Sequence, residues 1–353
     1  MLSDMQNQAL KIMKYRIKNK EKVTVLQGFA GSGKTTTISV LIKELGYNPY
    51  DVHFCAFTGA AAKVMMDMGM QASTIHALIY NPIIRNGVLM GFTKKTKEEI
   101  EHLELIVVDE FSMVNQELLD DLISFDIPLL LVGDPAQLKP VGGRLNQYMG
   151  YSDFTLIEVH RQALDSPVLW AATKVREGEI VKEGTYGGKL FVGRRHQLDE
   201  EWLRKDVQII CGTNQTRHQM NTRIAGSPFP GSGDTIIFLR NHFEEGIVNG
   251  TTAKLLSISP RSNYFTIDFK HENWTKKNYK AYHESSVPKK PLKWVRGIFT
   301  LGYCLTAHKC QGRTLNMPML IIDESYYFKD EKTAWIYTAL TRSTGEKPVA
   351  WLR

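Results

Sequence analysis

The chain has 353 residues, 43% hydrophobic and 23% charged, with a net charge of +7, which is enough for two or three domains that each bury a core. No apolar run approaches the ~20 residues that cross a bilayer. The opening MLSDMQNQALKIMKYR has the pattern of an amphipathic helix and not of a secretory signal, so no membrane partner is expected. The positive surplus points weakly to a polyanionic partner. Cys55, Cys211, Cys304 and Cys310 form no CxxC pair; three of them sit in apolar runs and read as small buried hydrophobes, which fits a reducing, cytoplasmic compartment.

After the first helix comes Val23–Gln27, a continuous apolar run of the kind buried on both faces of a parallel sheet. Gly28–Thr35, GFAGSGKT, matches G-x4-G-K-[ST] and precedes a helical stretch, Thr36–Leu45. Gly28, Gly31 and Gly33 let the amides of the loop turn inward on phosphates, with Ser32 and Thr36 beside them, and the helix N-terminus adds a favourable dipole. Lys34 then reaches the β- and γ-phosphates of ATP, and the Thr35 hydroxyl ligates Mg²⁺. The alternative is a glycine turn that merely packs a strand on a helix.

Val52–Phe57 reads as the second strand. Asn81–Phe92 breaks the α/β rhythm, because its Asn86-Gly87 pair between apolar triplets is a strong hairpin signal. Leu105–Val108 is a third strand ending in Asp109-Glu110. Asp109 suits the Mg²⁺ shell, and Glu110 suits the base that orients or deprotonates the attacking water. Leu129–Val132 is a fourth strand, followed by GDPAQL, in which Gln137 stands where a γ-phosphate sensor would. Singly these are polar strand ends, but strand C-termini converge on one edge of such a sheet.

A second α/β region is expected from Tyr151, with strands Thr155–Glu158, Val207–Cys211, Gly302–Thr306, Met319–Ile322 and Val349–Leu352. Between Thr251 and Val295 short β-rich segments and polar turns predict a small all-β insert. The expected domains are therefore residues 1–80 and 101–150, with a hairpin at 81–100, then 151–250 and 297–353, with a β insertion at 251–296.

The order of motifs resembles the superfamily 1 DNA helicases of the 5′→3′ branch, RecD-like and phage Dda-like. The resemblance rests on Leu2-x3-Gln6-x2-Ala9, GFAGSGKTT, FTGAAAKVM, STIH, DEFSM, GDPAQLKPV, HRQ, TNQTRHQMN, VNG, TAHKCQGRT and YTALTRS, and covers nearly the whole chain. DEFSM departs from the DEASM usual in that branch. The resemblance implies two RecA-like P-loop domains, an SH3-like barrel within the second, and adenine recognition by Gln6. It also implies DNA contacts at Thr58, Gly59, Thr74, His76, Thr213, Asn214, Asn249, Thr306 and His308, and puts Gln311 and Gly312 at the junction of ATP and DNA. For the two histidines a structural role remains the alternative.

An ATPase becomes a motor when a cation from the second domain reaches the nucleotide, so that the cleft closes on ATP and relaxes after hydrolysis. Arg161 and Arg342 match such positions; the alternative is an arginine capping a helix. The hairpin, with Phe92 on one strand, is either a strand-separating pin or a local packing element. Residues 252–296 carry ten Lys and Arg against three carboxylates, a net of +7 equal to that of the whole chain. That face either binds phosphates or is simply solvated.

The expected function is an ATP-dependent, 5′→3′ DNA helicase of replication, recombination or repair, with ATP and Mg²⁺ as cofactors. Single-stranded DNA and single-strand/duplex junctions are the expected partners, along with a single-strand-binding or other replication or recombination protein. The resemblance favours a monomer. The alternatives are an RNA helicase and a non-processive ATPase switch within a larger complex.

Overall fold

The computed structural model describes residues 2–85, 88–139, 144–159, 165–240, 242, 245–247, 249–271, 274–287 and 297–353, with backbone only at 60, 84, 85 and 88–90. Helix α1 (Asp4–Lys18) begins in a reciprocal cap: Ser3 Oγ accepts from the Gln6 amide at 3.2 Å, and Gln6 Oε1 accepts from the Ser3 amide at 2.9 Å. Its buried face, Ala9, Leu10, Met13 and Ile17, repeats every three to four residues. Strand β1 (Val23–Gly28) is buried throughout and leads into α2 (Lys34–Leu45). Then follow β2 (Val52–Ala56), α3 (Gly59–Asp67), β3 (Ala72–Thr74), α4 (Ile75–Ile79) and the antiparallel strands β4 (Tyr80–Arg85) and β5 (Val88–Lys94). The half closes with β6 (Leu105–Asp109), α5 (Gln116–Ile123), β7 (Leu129–Gly133) and β8 (Phe154–Leu156).

The first sheet has the order β3-β2-β6-β7-β1-β8, and every neighbouring pair is parallel. The four apolar runs read as strands are β1, β2, β6 and β7, so their C-terminal ends share one edge. Thr155–Glu158 is corrected by this topology. The strand there is Phe154–Leu156, and it pairs with β1 as the edge of the first sheet, not as the start of the second region. Burial drives the placement: Leu156 is covered by the α1–α2 side of the core.

The hairpin strands bracket Asn86 and Gly87, whose own structure lies outside the described residues. The base of the hairpin is tied down, since Tyr80 donates its hydroxyl to Asp121 on α5, and Lys94 pairs with Asp121 at 3.1 Å.

The second half contains α6 (Pro167–Arg176), β9 (Gly184–Tyr186), β10 (Leu190–Gly193), β11 (Gln208–Cys211), α7 (Asn214–Ala225) and β12 (Thr235–Phe238). It continues with β13 (Thr252–Pro260), β14 (Phe265–His271), β15 (Trp274–His283), β16 (Ile298–Leu301) and β17 (Cys304–Thr306). It ends with α8 (Ala307–Cys310), β18 (Met319–Ile322), α9 (Lys332–Leu340) and β19 (Val349–Leu352). The second sheet runs β17-β11-β18-β19-β10-β9, parallel except for the β9–β10 pair.

Strands β12 to β16 close a barrel around Phe238, Leu255, Ile267, Phe269, Tyr279 and Phe299. The barrel draws in β12 and β16, which flank residues 251–296. Phe269 and Tyr279 are core rings in mutual edge contact, whereas Lys254, Arg261, Lys270, Lys277 and Lys280 are exposed. Lys289, Lys290, Lys293 and Arg296 lie outside the described residues. All four cysteines are buried. Among the described residues no helix is long and apolar enough to cross a membrane.

Candidate functional site

The loop between β1 and α2 folds because its glycines permit it. Gly31 and Gly33 adopt φ of 78° and 79°, a region costly for other residues. A Cβ on Gly28 would lie 2.7 Å from Ser32 Oγ. The Ser32 hydroxyl is buried without a hydrogen-bond partner among the described residues, a group a phosphate oxygen would satisfy. Lys34 Nζ donates to the carbonyls of Gly28 at 2.7 Å and Phe29 at 3.2 Å, so its ammonium lies along the loop. Gln6 is buried, and its amide nitrogen points at the Ser32 and Gly33 carbonyls, 3.4 Å from each. Its oxygen belongs to the α1 cap, so in this state Gln6 braces the loop.

A cavity of about 250 Å³ opens beside the loop, and Lys34, Thr35, Asp109, Glu110, Asp134, Gln137, Gly312 and Arg342 all line it. Residues from both halves of the chain therefore meet around one space. Thr36 is exposed one position further along α2. Asp109 has its carboxyl pushed up to about 6, first by burial and next by the neighbouring Glu110, with Lys34 opposing both. Glu110 takes a left-handed backbone, φ 51° and ψ 41°, at the turn out of β6. A non-glycine residue there is held in a costly conformation by its surroundings.

Gln137 links the halves. Oriented to satisfy both neighbours, its amide nitrogen donates to Glu110 Oε2 at 3.3 Å and its oxygen accepts from Arg342 Nη2 at 3.2 Å. Arg342 is 5% exposed, and its other nitrogens donate to the carbonyls of Thr338 at 3.0 Å and Arg313 at 3.2 Å. Arg161 lies outside the described residues.

Three further links cross the cleft. Tyr337 donates its hydroxyl to Asp134 Oδ2 at 2.7 Å and accepts from the Ala30 amide at 2.8 Å. The Leu138 amide donates to Thr338 Oγ1 at 3.0 Å. Gln311 Nε2 donates to the Leu138 carbonyl at 2.8 Å. Gly312 approaches so closely that a Cβ there would stand 3.2 Å from both Thr58 Oγ1 and the Ala61 methyl. Tyr337, Asp134 and Thr338 carry no sequence signal for this role, although each stands inside one of the motifs. In WIYTAL the tyrosine is indistinguishable from a core ring, and nothing in the string marks a hydroxyl that faces another domain.

Thr58, Gly59, Thr74, His76, Phe92 and Asn249 line a second cavity of about 290 Å³, together with Phe57. His76, Tyr80 and Phe92 form a ring cluster with centroids 5.4 to 6.5 Å apart. Thr213, Asn214, Thr306 and His308 do not line it; they stand at the ends of β11 and β17. Thr58, Thr74, Thr213 and Thr306 are all helix N-caps, accepting from the amides of Ala61, Ala77, Thr216 and Lys309. Burial pushes both His76 and His308 below the ordinary imidazole value, which favours the neutral ring. His308 packs on Phe328, with centroids 5.5 Å apart.

The donors near Lys34 fit a divalent cation of modest protein ligation. Among the described residues no three His, Cys, Asp or Glu side chains cluster as a metal cage. Thr35 and Asp109, which both line the cavity, could hold Mg²⁺, whose remaining ligands would come from phosphates and water.

The family model described as AAA domain matches residues 1–188. The ATP-dependent RecD2 DNA helicase of Deinococcus radiodurans is 27% identical over 91% of this chain and 46% of its own length. The ATP-dependent DNA helicase Dda of Enterobacteria phage T4 is 29% identical over 50% of this chain and 43% of its own. The chain thus spans less than half the length of these curated relatives. Their similarity bears out the resemblance to the RecD-like and Dda-like helicases. Among solved structures, a Pif1 helicase from work on unwinding at forked dsDNA superposes with a TM-score of 0.62 at 20% identity, covering 99% of this chain and 92% of that one. Bacteroides Pif1 bound to ssDNA gives 0.56 at 19% identity, covering 99% and 92%. The fold is the Pif1-like helicase fold, α/β with parallel sheets.

Proposed function

The chain belongs to the AAA-domain family, and from that premise we propose that it is an ATP-hydrolysing helicase that moves 5′→3′ along single-stranded DNA and unwinds duplex. The observation that carries this is the Gln137 amide, which touches Glu110 on one side of the cleft and Arg342 on the other. A residue that senses both the water-orienting carboxylate and the opposing cation ties turnover to the spacing of the two halves.

In this reading the halves are RecA-like domains, the first extending through β8 to Leu156 and the second following it, with the barrel from Thr235 to Leu301 set within the second. Lys34 and the loop amides bind the triphosphate. Thr35 and Asp109 would hold Mg²⁺, which would supply charge neutralisation at the phosphates. Glu110 orients the attacking water, and its strained backbone aims the carboxylate into the cavity. Arg342, already desolvated, stabilises charge developing on the transferred group without reorganising. Arg161 is proposed as a second cation of this kind. Tyr337, Thr338 and Gln311 transmit closure because each bonds the opposite half.

The 290 Å³ cavity with its neutral ring cluster takes a base by stacking, and the Thr213–Asn214 and Thr306–His308 segments contact the strand further along. Phe92 and the hairpin act as the pin at the junction. The barrel, SH3-like and basic outside, holds phosphates. The protein works as a monomer in the cytoplasm, with a single-strand-binding or other replication, recombination or repair protein as a further partner.

ATP turnover with matched DNA and RNA oligonucleotides, together with streptavidin displacement from 5′- and 3′-biotinylated strands, tests the reading. The expected results are stronger stimulation by DNA and displacement from the 3′ end alone. Stronger stimulation by RNA would remove DNA as the track, and intact ATPase without displacement would make the protein a switch.

A further inference from the structure

An apolar strand running into Asp-Glu occurs twice in this chain, at Leu105–Glu110 and again at Met319–Glu324. The first pair faces the nucleotide cavity. The second is turned inward and fully engaged. Asp323 accepts from Trp351 Nε1 and from the Ser325 amide, both at 2.9 Å. Glu324, 3% exposed, accepts at Oε2 from the amides of Gly212 at 2.8 Å and Thr213 at 2.9 Å. Its Oε1 accepts from the Thr216 hydroxyl at 2.6 Å.

Those donors are the turn from β11 into α7. A carboxylate there meets two amides in need of acceptors and the positive end of a 12-residue helix. The fit is close: a Cβ on Gly212 would lie 2.7 Å from the Glu324 Cβ, so glycine is required beneath the carboxylate. The next residue, Asn214, is exposed. Its Oδ1 accepts from Arg217 Nε at 3.1 Å, which leaves its amide nitrogen as the outward donor. Arg217 is in turn buried and paired with Glu284 of the barrel at 2.9 Å. The segment that starts at Glu324 also carries Phe328 onto the His308 ring.

We propose that Glu324 is a positioning residue for nucleic-acid binding: it holds the Gly212–Asn214 turn in the shape that presents Asn214 to a phosphate, without touching the strand itself. This rests on the motor reading for the location of the strand. Opposite signs separate positioning from electrostatics. A buried anion near a phosphate track that acted only through charge would weaken binding, and its removal would tighten it. A positioning anion weakens binding when removed, because two buried amides lose their acceptor and the turn relaxes.

The test is fluorescence anisotropy of a 15-mer of deoxythymidylate across a salt series, with thermal midpoints measured in parallel. Glu324→Ala is expected to bind about tenfold more weakly. Its slope of log affinity against log salt should stay that of wild type, because the neutral Asn214 amide releases no counterion, whereas loss of a cationic contact would lower the slope. Glu324→Gln keeps an oxygen for both amides and should stay within about threefold of wild type. If Glu324→Ala does not fold, Thr216→Val, which removes only the hydroxyl donor, should bind about threefold more weakly at an unchanged midpoint.

A folded Glu324→Ala, or in its place Thr216→Val, with wild-type affinity would overturn the proposal. Tighter binding by both Glu324 variants would do so too, in favour of charge repulsion. Failure of the wild-type protein to bind the 15-mer would instead remove the motor reading, and this proposal with it.

Discussion

Tyr337 and Asp134 stand 203 residues apart in the chain, yet the hydroxyl of one donates to the carboxylate of the other at 2.7 Å, both buried beneath the nucleotide cavity. The same hydroxyl accepts from Ala30 in the phosphate loop at 2.8 Å. One atom of the second half therefore touches two motifs of the first. Burial and the neighbouring Asp134 push the Tyr337 hydroxyl well above its ordinary value, so it remains a donor at any working pH. Tyr337→Phe keeps the ring in the core but removes both bonds. A loss of about 1–3 kcal/mol is expected, read as a lower thermal midpoint. An unchanged midpoint would mean the link carries no energy.

The phosphate loop and the carboxylate beside it should separate binding from turnover. Lys34→Ala is expected to abolish hydrolysis and most nucleotide affinity, whereas Glu110→Gln keeps ATP bound and blocks turnover. Labelled-ATP binding measured alongside steady-state phosphate release distinguishes them. A native rate in Glu110→Gln would contradict the assignment of the base.

Arg342 holds its guanidinium with the carbonyls of Thr338 and Arg313 as well as Gln137. Lysine keeps the charge but cannot reproduce that fork. Arg342→Lys and Arg342→Ala should both lower kcat by roughly 10²–10³, with ATP still binding. A lysine variant at native rate would reduce Arg342 to a simple charge.

These assignments were unevenly legible beforehand. The phosphate loop could be read because its glycines and Lys34 answer to local geometry, and Asp109 and Glu110 because a buried strand rarely ends in two carboxylates without cause. The hairpin strands followed from Asn86-Gly87 and the apolar triplets around it. What escaped was non-local. Phe154–Leu156 joins the first sheet because Leu156 finds cover there, which no window around it reveals. Gly184–Tyr186 and Leu190–Gly193 are too short and too mixed to read as strands, and they exist by pairing at the edge of the second sheet. Trp274–His283 carries three lysines that hid the inward alternation of Tyr279 and Ala281. Asp134 and Tyr337 looked like a turn and a core ring until the two halves were brought together.

His76 and His308 are both held below the ordinary imidazole value by burial. A lowered value favours the neutral ring, so protonation sets in only at a pH below that of a free histidine. Lowering the pH from 8 to about 7 should therefore add less cation from these rings than from free histidines, and the salt slope of single-strand binding should stay nearly constant over that range. A steeper slope at the lower pH would show that one of them binds phosphate as a cation. His76→Ala should weaken binding by about 1–3 kcal/mol, the scale of one stacked base, with the slope unchanged.

In the proposed mechanism cleft closure drives movement along one strand with a fixed direction. Forked duplexes bearing a 5′ or a 3′ single-stranded tail, offered to the wild-type protein and to Phe92→Ala with ATP, test it most directly. Unwinding of the 5′-tailed fork alone is expected, reduced in Phe92→Ala while DNA-stimulated ATPase persists. Unwinding confined to the 3′-tailed fork, or of neither fork with ATPase intact, would contradict it.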